Sequence, residues 1–282
     1  PQSSGRIIDT VILNGIECEP FITADYRILL EHADEVIRGL KYFLKASLAN
    51  KGIIAIEDNK PRAIELFNQL TADDPNISVV VCPEKYPQGS ERHLIYAVTG
   101  RVVPERALPS AIGVIVDNVA TAMQAALAVK DDLPCYERIV TVSGNAVHKP
   151  GNYRVRIGTL YSHLVEQGAQ GLKNDPARII SGGPMMGFAM YSLDVPVVKG
   201  SSSLLVFKED VVSKLETSAC IRCGRCGDGC PSHLLPAKLA GFASRNDEAG
   251  FLKFDGMECV ECGCCSWICP ARKQLTLSLI HI

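Results

Sequence analysis

Eight cysteines near the C-terminal end of the chain form two copies of one motif. Residues 220–231 read CIRCGRCGDGCP, and residues 259–270 read CVECGCCSWICP. Both follow the spacing C-x2-C-x2-C-x3-C-P, in which three thiolates hold one [4Fe–4S] cluster and the fourth ligates the other cluster. The pattern therefore predicts two such clusters. The expected ligands are Cys220, Cys223, Cys226 and Cys269 at the first cluster site, and Cys259, Cys262, Cys265 and Cys230 at the second cluster site.

Zinc and disulfide bonds explain this pattern less well. Structural zinc sites usually take two separated C-x2-C pairs, which would leave the regular third and fourth cysteines without a role. Disulfides are typical of small secreted domains, and cysteines this dense in one segment are poorly placed to bridge. Cys264 lies outside the ligand spacing and is interpreted as a bystander. Cys18, Cys82 and Cys135 are expected to be small buried hydrophobic side chains.

Composition narrows the class of protein. A length of 282 residues predicts more than one domain, and a hydrophobic content of 47% is enough for a sizeable core. The net charge of −2 carries no general basic signature, so a nucleic-acid partner is not expected. The most apolar stretch, from Ala111, is interrupted by Asp117, Asn118 and Gln124, so no membrane-spanning helix is predicted. Cysteines in cluster spacing indicate a reducing compartment.

The first half of the chain alternates between two kinds of apolar pattern. Short β-rich runs alternate with helical segments, the first of which has apolar residues on one face from Leu29 to Leu44 and Thr23 as its expected N-cap. The strands are predicted at residues 7–14, 52–58, 76–83 and 111–118, and further helices at 61–70, within 89–100 and at 119–129. This alternation is typical of an α/β layer with a largely parallel sheet.

The pattern changes after Pro134. Residues 138–159 predict a β-hairpin, followed by a helix at 160–166 and strands at 177–183 and 202–207, which together form a small α+β unit. The cysteine motifs then flank a helix expected at 235–244. We predict domains at residues 1–134, 135–208 and 209–276. Residues 277–282, LSLIHI, are expected to be a non-native tail, and the chain an internal fragment of a longer protein.

Polar side chains gather in loops that follow the predicted strands. Ligands bind α/β sheets outside the carboxyl ends of the strands, where amides, hydroxyls and carboxylates can hydrogen-bond a polyol and a helix N-terminus favours phosphate. From the residues alone, Glu17 and Glu19 can equally be solvated carboxylates, and Asn118 and Thr121 can simply cap a helix. The candidate binding residues are Asn14, Glu17, Glu19, Glu91, Asn118 and Thr121.

Several segments together resemble the C subunit of Rnf-type electron-transport complexes, up to about Arg272. They are NGIECEPFITADYR, EDNKP, YPQGSERHLIYAVTGR, VDNVAT, ISGGPMMG and GMECVECGCCSWICPAR. The α/β part also resembles the NADH-binding flavoprotein subunit of respiratory complex I, and residues 141–159 resemble its soluble-ligand-binding β-grasp domain. The resemblance implies a Rossmann-like flavin and NADH domain, then a β-grasp domain, then a ferredoxin-like domain with two clusters.

This resemblance also implies a function. Asn14, Glu17, Glu19, Glu91, Asn118 and Thr121 become contacts to FMN or to the nicotinamide. NADH would pass a hydride to FMN, which splits the two electrons into single steps toward the clusters, so no catalytic acid or nucleophile is expected from the protein. The implied partners are NADH, the other subunits of a membrane-bound Rnf-type complex and, indirectly, ferredoxin or another carrier. The implied location is peripheral, on the cytoplasmic face of the bacterial inner membrane.

The chain departs from the family pattern at two places. The Gly-rich loop that holds the flavin phosphate should precede residue 7 and is missing, and position 16 is Ile where the complex I protein has an acidic residue.

Two other functions stay open. One is the related cobalamin reductase of bacterial microcompartments, which has the same three parts. The other is a non-catalytic electron relay whose α/β part is only a docking scaffold.

Overall fold

A four-stranded parallel sheet organises the first part of the chain in the computed structural model, which describes residues 7–211 and 214–276. Its strands are β1 (Thr10–Gly15), β2 (Lys51–Glu57), β3 (Ile77–Cys82) and β4 (Val114–Asn118). They lie in the order β3-β2-β1-β4, and every neighbouring pair is parallel. The helices of this part are α1 (Ala24–Glu31), α2 (Ala33–Ser47), α3 (Pro61–Leu70), α4 (Glu91–Thr99) and α5 (Val119–Asp131). The predicted α/β layer is confirmed.

Helices cover both faces of this sheet. Along β1, Val11 and Leu13 pack into the cluster that contains α1, α2, α3 and α5, whereas Ile12 packs on the opposite side with Leu94 and Ile95 of α4. All five side chains are fully buried. Burial on both faces explains why the strands are continuous apolar runs and do not alternate.

The first predicted helix is two helices. The chain leaves the helical conformation at His32, which ends α1, and α2 begins at the next residue. The apolar periodicity runs across this break because both helices pack against the same core. Thr23 is the N-cap residue of α1, as predicted, but it makes no side-chain cap bond, and its hydroxyl donates to Asn152 Oδ1 instead.

A mixed five-stranded sheet follows. Its strands are β5 (Glu137–Ser143), β6 (Gly151–Arg156), β7 (Arg178–Ser181), β8 (Phe188–Met190) and β9 (Ser203–Phe207), in the order β6-β5-β9-β7-β8. Antiparallel pairing of β5 with β6 confirms the predicted hairpin. The predicted helix at 160–166 is a short helix α6 (Tyr161–His163) that continues as a π-helical turn at Leu164–Gly168. Strand β8 was not predicted, because it is only three residues long and its Phe188 is exposed.

The chain divides into two compact units, residues 1–208 and residues 209–282. The second unit contains α7 (Arg225–Asp228), α8 (Pro236–Ala243), α9 (Glu248–Lys253) and α10 (Cys264–Trp267). Its small core is formed by Leu234, Leu239 and Phe251. Among the residues with described structure, no helix is long and apolar enough to cross a membrane. The expected tail at 277–282 lies outside the described residues.

Candidate functional site

A cleft of about 530 Å³ lies at the carboxyl ends of β1, β2 and β3. This is the edge at which α/β sheets bind ligands, and the volume falls within the range of small-molecule pockets. Of the six predicted binding residues, Glu17 and Glu19 line the cleft, whereas Asn14, Glu91, Asn118 and Thr121 are not part of its lining. The other lining residues are Cys18, Pro20, Phe21, Ile22, Thr23, Tyr26, Glu57, Asn59, Lys60, Glu84, Lys85 and Tyr86.

Glu17 holds the N-terminus of α1. Its carboxylate oxygens accept hydrogen bonds from the backbone N–H groups of Asp25 (2.8 Å) and Tyr26 (3.4 Å), which have no partner inside the helix. Burial, followed by the neighbouring Asp25 carboxylate, raises the pKa of Glu17 to about 8. Glu17 thus takes the capping role that the sequence pattern had suggested for Thr23, and it is a carboxyl group that can hold a proton at neutral pH.

Stability should depend on pH through Glu17. The pKa of this group rises from 4.5 to about 8 on folding, so the folded chain holds a proton that the unfolded chain releases. The stabilisation is present below about pH 4.5 and is lost as the pH rises through 8. We expect Glu17→Gln to flatten this fall in the free energy of unfolding, measured by urea denaturation at a series of pH values. An unchanged slope in the variant would contradict the raised pKa.

Two of the predicted residues have structural roles. Asn118 is the N-cap of α5, where its Oδ1 accepts from the N–H of Ala120 (2.8 Å) and its Nδ2 donates to Asp25 Oδ2 (2.7 Å). Asn14 Nδ2 donates to the carbonyl oxygen of Gly89 (2.9 Å). These bonds join β4 to α1, and β1 to the loop before α4.

Glu91 and Thr121 lie on helices that leave the same end of the sheet. Glu91 is the first residue of α4, and burial, with a smaller contribution from the Asp117 carboxylate, raises its pKa. Thr121 is exposed in the first turn of α5. Their roles as flavin contacts stay predictions.

Glu19 connects the cleft to the second sheet. Its carboxylate accepts hydrogen bonds from the backbone N–H groups of Met185 (3.1 Å) and Met186 (2.9 Å), in the loop between β7 and β8. In the same loop, a side chain at Gly183 would bring its Cβ within 2.2 Å of the Glu19 carboxyl carbon. The loop ISGGPMMG therefore fits closely around one cleft carboxylate.

The effects of mutating the two sides of this contact on the free energy of unfolding should not be additive. Glu19→Ala removes two charge-assisted hydrogen bonds, and Gly183→Ala displaces the carboxylate that accepts them, so each should cost roughly 1–3 kcal/mol of unfolding free energy. The double variant should cost little more than the worse single variant, as measured by denaturant unfolding in a double-mutant cycle. Gly200→Ala, where a Cβ meets open space, is the control. Full additivity would contradict the contact.

A buried ion pair lies at the end of β2. Glu57 and Lys60 are 1% and 7% exposed, and Lys60 Nζ donates to Glu57 Oε2 and to Asn59 Oδ1 (3.1 Å). Glu57 Oε1 is buried and has no hydrogen-bond partner. An orphaned acceptor in the lining of a polar cleft fits a ligand rich in hydroxyl groups, such as the ribityl chain of FMN. Sequence reasoning missed this pair, because a Glu and a Lys three residues apart at a strand end carry no specific signal.

The four cysteines predicted for the second cluster site lie together. Cys230, Cys259, Cys262 and Cys265 line one small cavity, although Cys230 is 29 residues before Cys259 in the sequence. Burial, followed by the nearby Cys265, Cys262 and Cys230, raises the pKa of the Cys259 thiol to about 11. Thiols this close together lose their protons less readily, because the thiolate charges repel one another unless a cation is present. Bound iron supplies that positive charge and deprotonates its thiol ligands. Four cysteine thiols around one cavity are the donor set of a [4Fe–4S] cluster.

Both cysteine loops share one backbone conformation. In each loop the first cysteine sulfur accepts an N–H from the residue two positions later, Arg222 or Glu261, at 3.4 Å. The sulfur of each fourth cysteine accepts from the residue four positions later, again at 3.4 Å. Gly224 and Gly263, at φ 81° and 80°, start the short helices α7 and α10. N–H···S bonds of this kind stabilise thiolate ligands and tune cluster potential.

The first cluster site is more open. Cys220 and Cys223 are exposed and Cys226 is half-buried, whereas Cys262 and Cys265 are buried. Ser218, just before the first loop, donates its N–H to the carbonyl oxygen of Ala271, which follows the second loop. The two loops therefore lie side by side, as the crossed ligand sets require. Cys264 lies in the second loop beside Cys262, and burial is the first cause that raises its pKa, to about 12.

Comparison with known families divides the chain in the same order as the fold. Residues 1–127 match the Nuo51 FMN-binding domain, residues 139–189 the SLBB domain, and residues 219–273 the 4Fe-4S dicluster domain. A solved NAD+-reducing [NiFe]-hydrogenase in the H2-reduced state has a similar fold, with a TM-score of 0.62 at 17% identity. That alignment covers 97% of this chain and 53% of the hydrogenase chain. The predicted succession of Rossmann-like, β-grasp and ferredoxin-like parts is confirmed.

Curated relatives are much closer in sequence. The chain is 45% identical over 233 residues to the C subunit of the proton-translocating ferredoxin:NAD(+) oxidoreductase complex of Clostridium ljungdahlii, covering 83% of this chain and 50% of the relative. It is 41% identical over 239 residues to the C subunit of the Na(+)-translocating ferredoxin:NAD(+) oxidoreductase complex of Acetobacterium woodii, covering 85% and 54%. The chain thus spans about half the length of these relatives. It belongs to the C-subunit family of Rnf-type ion-translocating oxidoreductase complexes.

Proposed function

We propose that this chain is the electron-transfer part of a flavo-iron–sulfur subunit in an ion-translocating NADH–ferredoxin oxidoreductase. The observation that carries the proposal is the presence, in one chain, of a polar cleft at a parallel sheet edge and two repeated four-cysteine loops. The names of the relatives, which are ferredoxin:NAD(+) oxidoreductase subunits, support it. The proposed partners are NADH, the other subunits of a membrane-bound complex and, through them, ferredoxin. The proposed location is the cytoplasmic face of the bacterial plasma membrane.

The cleft would hold the nicotinamide and the flavin. Bound FMN would supply the chemistry that links hydride transfer from NADH to single-electron transfer toward the clusters. The residues of the chain itself would bind and orient the flavin and the nicotinamide. Glu57 Oε1 is free to accept a ligand hydroxyl, and Glu17 and Glu19 keep α1 and the Met185 loop in place around the cleft. In this proposal Asn14, Glu91, Asn118 and Thr121 complete the flavin contacts, and the hydrogen bonds described above already fix Asn14 and Asn118 at the ends of β1 and β4.

The two cluster sites would complete the path. The eight motif cysteines hold the clusters in residues 209–276, and residues 1–134 and 135–208 form the flavin and β-grasp domains. No acid, base or nucleophile is required from the side chains, because electrons and a hydride move between cofactors.

Anaerobic addition of NADH to the full-length protein, loaded with FMN and iron, tests the proposal by absorbance. We expect both the flavin band and the broad cluster absorbance to bleach. Dithionite gives the fully reduced reference. Bleaching of the clusters by dithionite but not by NADH would overturn the nicotinamide assignment, and a protein that holds clusters but no flavin would support the electron-relay function instead.

A further inference from the structure

The two cluster loops match in backbone but differ in charge. Arg222 follows the first cysteine of its loop by two positions, and Glu261 holds the same place in the second loop. Both residues have φ 55°, and both donate a backbone N–H to a cysteine sulfur at 3.4 Å. The hydrogen bonds to sulfur are therefore equal, and the side-chain charge is what distinguishes the two positions.

Further cations are close in sequence to the ligands of the first cluster site. Arg225 starts α7, where the matching residue of α10 is Cys264. The fourth ligand of the first site, Cys269, is followed by Arg272 and Lys273, and the Lys273 N–H donates to its sulfur. Cys230 of the second site is followed at the same positions by His233 and Leu234. Asp228 is the acidic residue inside the first motif.

The cysteines of the two cluster sites also differ in burial, and this difference acts in the same direction as the difference in charge. Cys262 and Cys265 of the second cluster site are each 8% exposed, whereas Cys220 and Cys223 of the first are exposed to solvent. Reduction adds one negative charge to a cluster already surrounded by four thiolates. Burial disfavours that added charge, a nearby carboxylate disfavours it further, and nearby cations or water favour it. Charge and burial therefore shift the reduction potentials of the two clusters apart in the same direction.

We propose that Arg222 and Glu261, with the unequal burial of their loops, order the two clusters, so that the first cluster site is the easier to reduce. A single electron shared by the pair then resides mainly at the first site. We expect a ratio of at least about tenfold, which corresponds to roughly 59 mV for a one-electron couple. This inference rests on the cluster part of the proposed function and not on its flavin or nicotinamide part.

A mediated redox titration of the full-length protein, followed by electron paramagnetic resonance, measures the two potentials without NADH or turnover. Wild type should show two one-electron steps. Arg222→Gln should lower the higher potential and leave the lower one nearly unchanged, whereas Glu261→Gln should raise the lower potential. The exchange variant Arg222→Glu with Glu261→Arg should bring the two steps together or invert them. Lys253→Gln, which removes an exposed cation of α9, is the control and should move neither.

Several results would overturn the inference. They are equal potentials in wild type, Arg222→Gln acting on the lower step, or an exchange variant that keeps the wild-type separation. Iron content verifies that each variant holds both clusters, and the two single variants test the ordering independently if the exchange variant does not assemble. Failure of NADH to reduce the clusters in a separate experiment would overturn the proposed function and leave this ordering intact.

Discussion

Replacement of Cys230 by Ala should abolish the cluster whose other three ligands come from the second motif. The crossed arrangement places Cys230 with Cys259, Cys262 and Cys265 around one cavity, so loss of Cys230 removes a ligand from that site. The iron content should fall by roughly half, and the resonance signal that is lost should be the one lost in Cys265→Ala. Cys269→Ala should instead eliminate the signal that Cys226→Ala eliminates. Iron analysis and electron paramagnetic resonance of the four single variants measure this directly.

Cys264→Ala is the matched control for these variants. This residue precedes the ligand Cys265 but falls outside the spacing of the motif, so both signals should survive its replacement. If Cys230→Ala and Cys226→Ala removed the same signal, each motif would bind its own cluster and the crossed ligand sets would be wrong.

Glu57→Ala should strongly destabilise the α/β domain. The variant leaves Lys60, 7% exposed, as a buried charge without its carboxylate partner. Breaking a buried pair in this way costs about 3–5 kcal/mol. Lys60 keeps its hydrogen bond to Asn59 Oδ1, the Tyr26 ring at 5.9 Å and a longer-range attraction to the Glu17 and Asp25 carboxyl groups, none of which replaces the lost ion pair. Anaerobic denaturant unfolding followed by circular dichroism measures the loss.

Two comparisons isolate the cause. Replacing both residues, Glu57→Leu with Lys60→Met, removes the charges together and should restore most of the stability, because a buried pair is often no more stabilising than apolar side chains of similar size. Asp74→Ala breaks the partly exposed Lys41–Asp74 pair (2.9 Å) and should cost at most about 1 kcal/mol. A double variant as unstable as Glu57→Ala would contradict this explanation.

Features governed by local patterns were predictable from the sequence. The four parallel strands and the helix from Pro61 to Leu70 follow from apolar runs and a proline at a helix start. The β5–β6 hairpin follows from alternation around a turn, and the second cluster site from cysteine spacing. In each case the residues that determine the feature are near one another in the chain, or repeat a fixed spacing.

Features that depend on distant contacts were not predictable. Glu19 meets the N–H of Met185, 166 residues away, and nothing near Glu19 indicates that partner. The break between α1 and α2 is hidden because both helices bury the same apolar face. The unequal burial of two nearly identical cysteine loops likewise arises only from what packs around each loop.

Reduction of the clusters by NADH, with and without FMN, tests the central claim most directly. The full-length protein is prepared anaerobically with its clusters intact, in one sample loaded with FMN and in the other freed of it, and both are frozen after addition of NADH for electron paramagnetic resonance. We expect reduced-cluster signals in the FMN-loaded sample and none in the flavin-free sample, although dithionite reduces both. Reduced clusters in the flavin-free sample, or none in the loaded one, would contradict an electron path from NADH through the flavin to the two clusters.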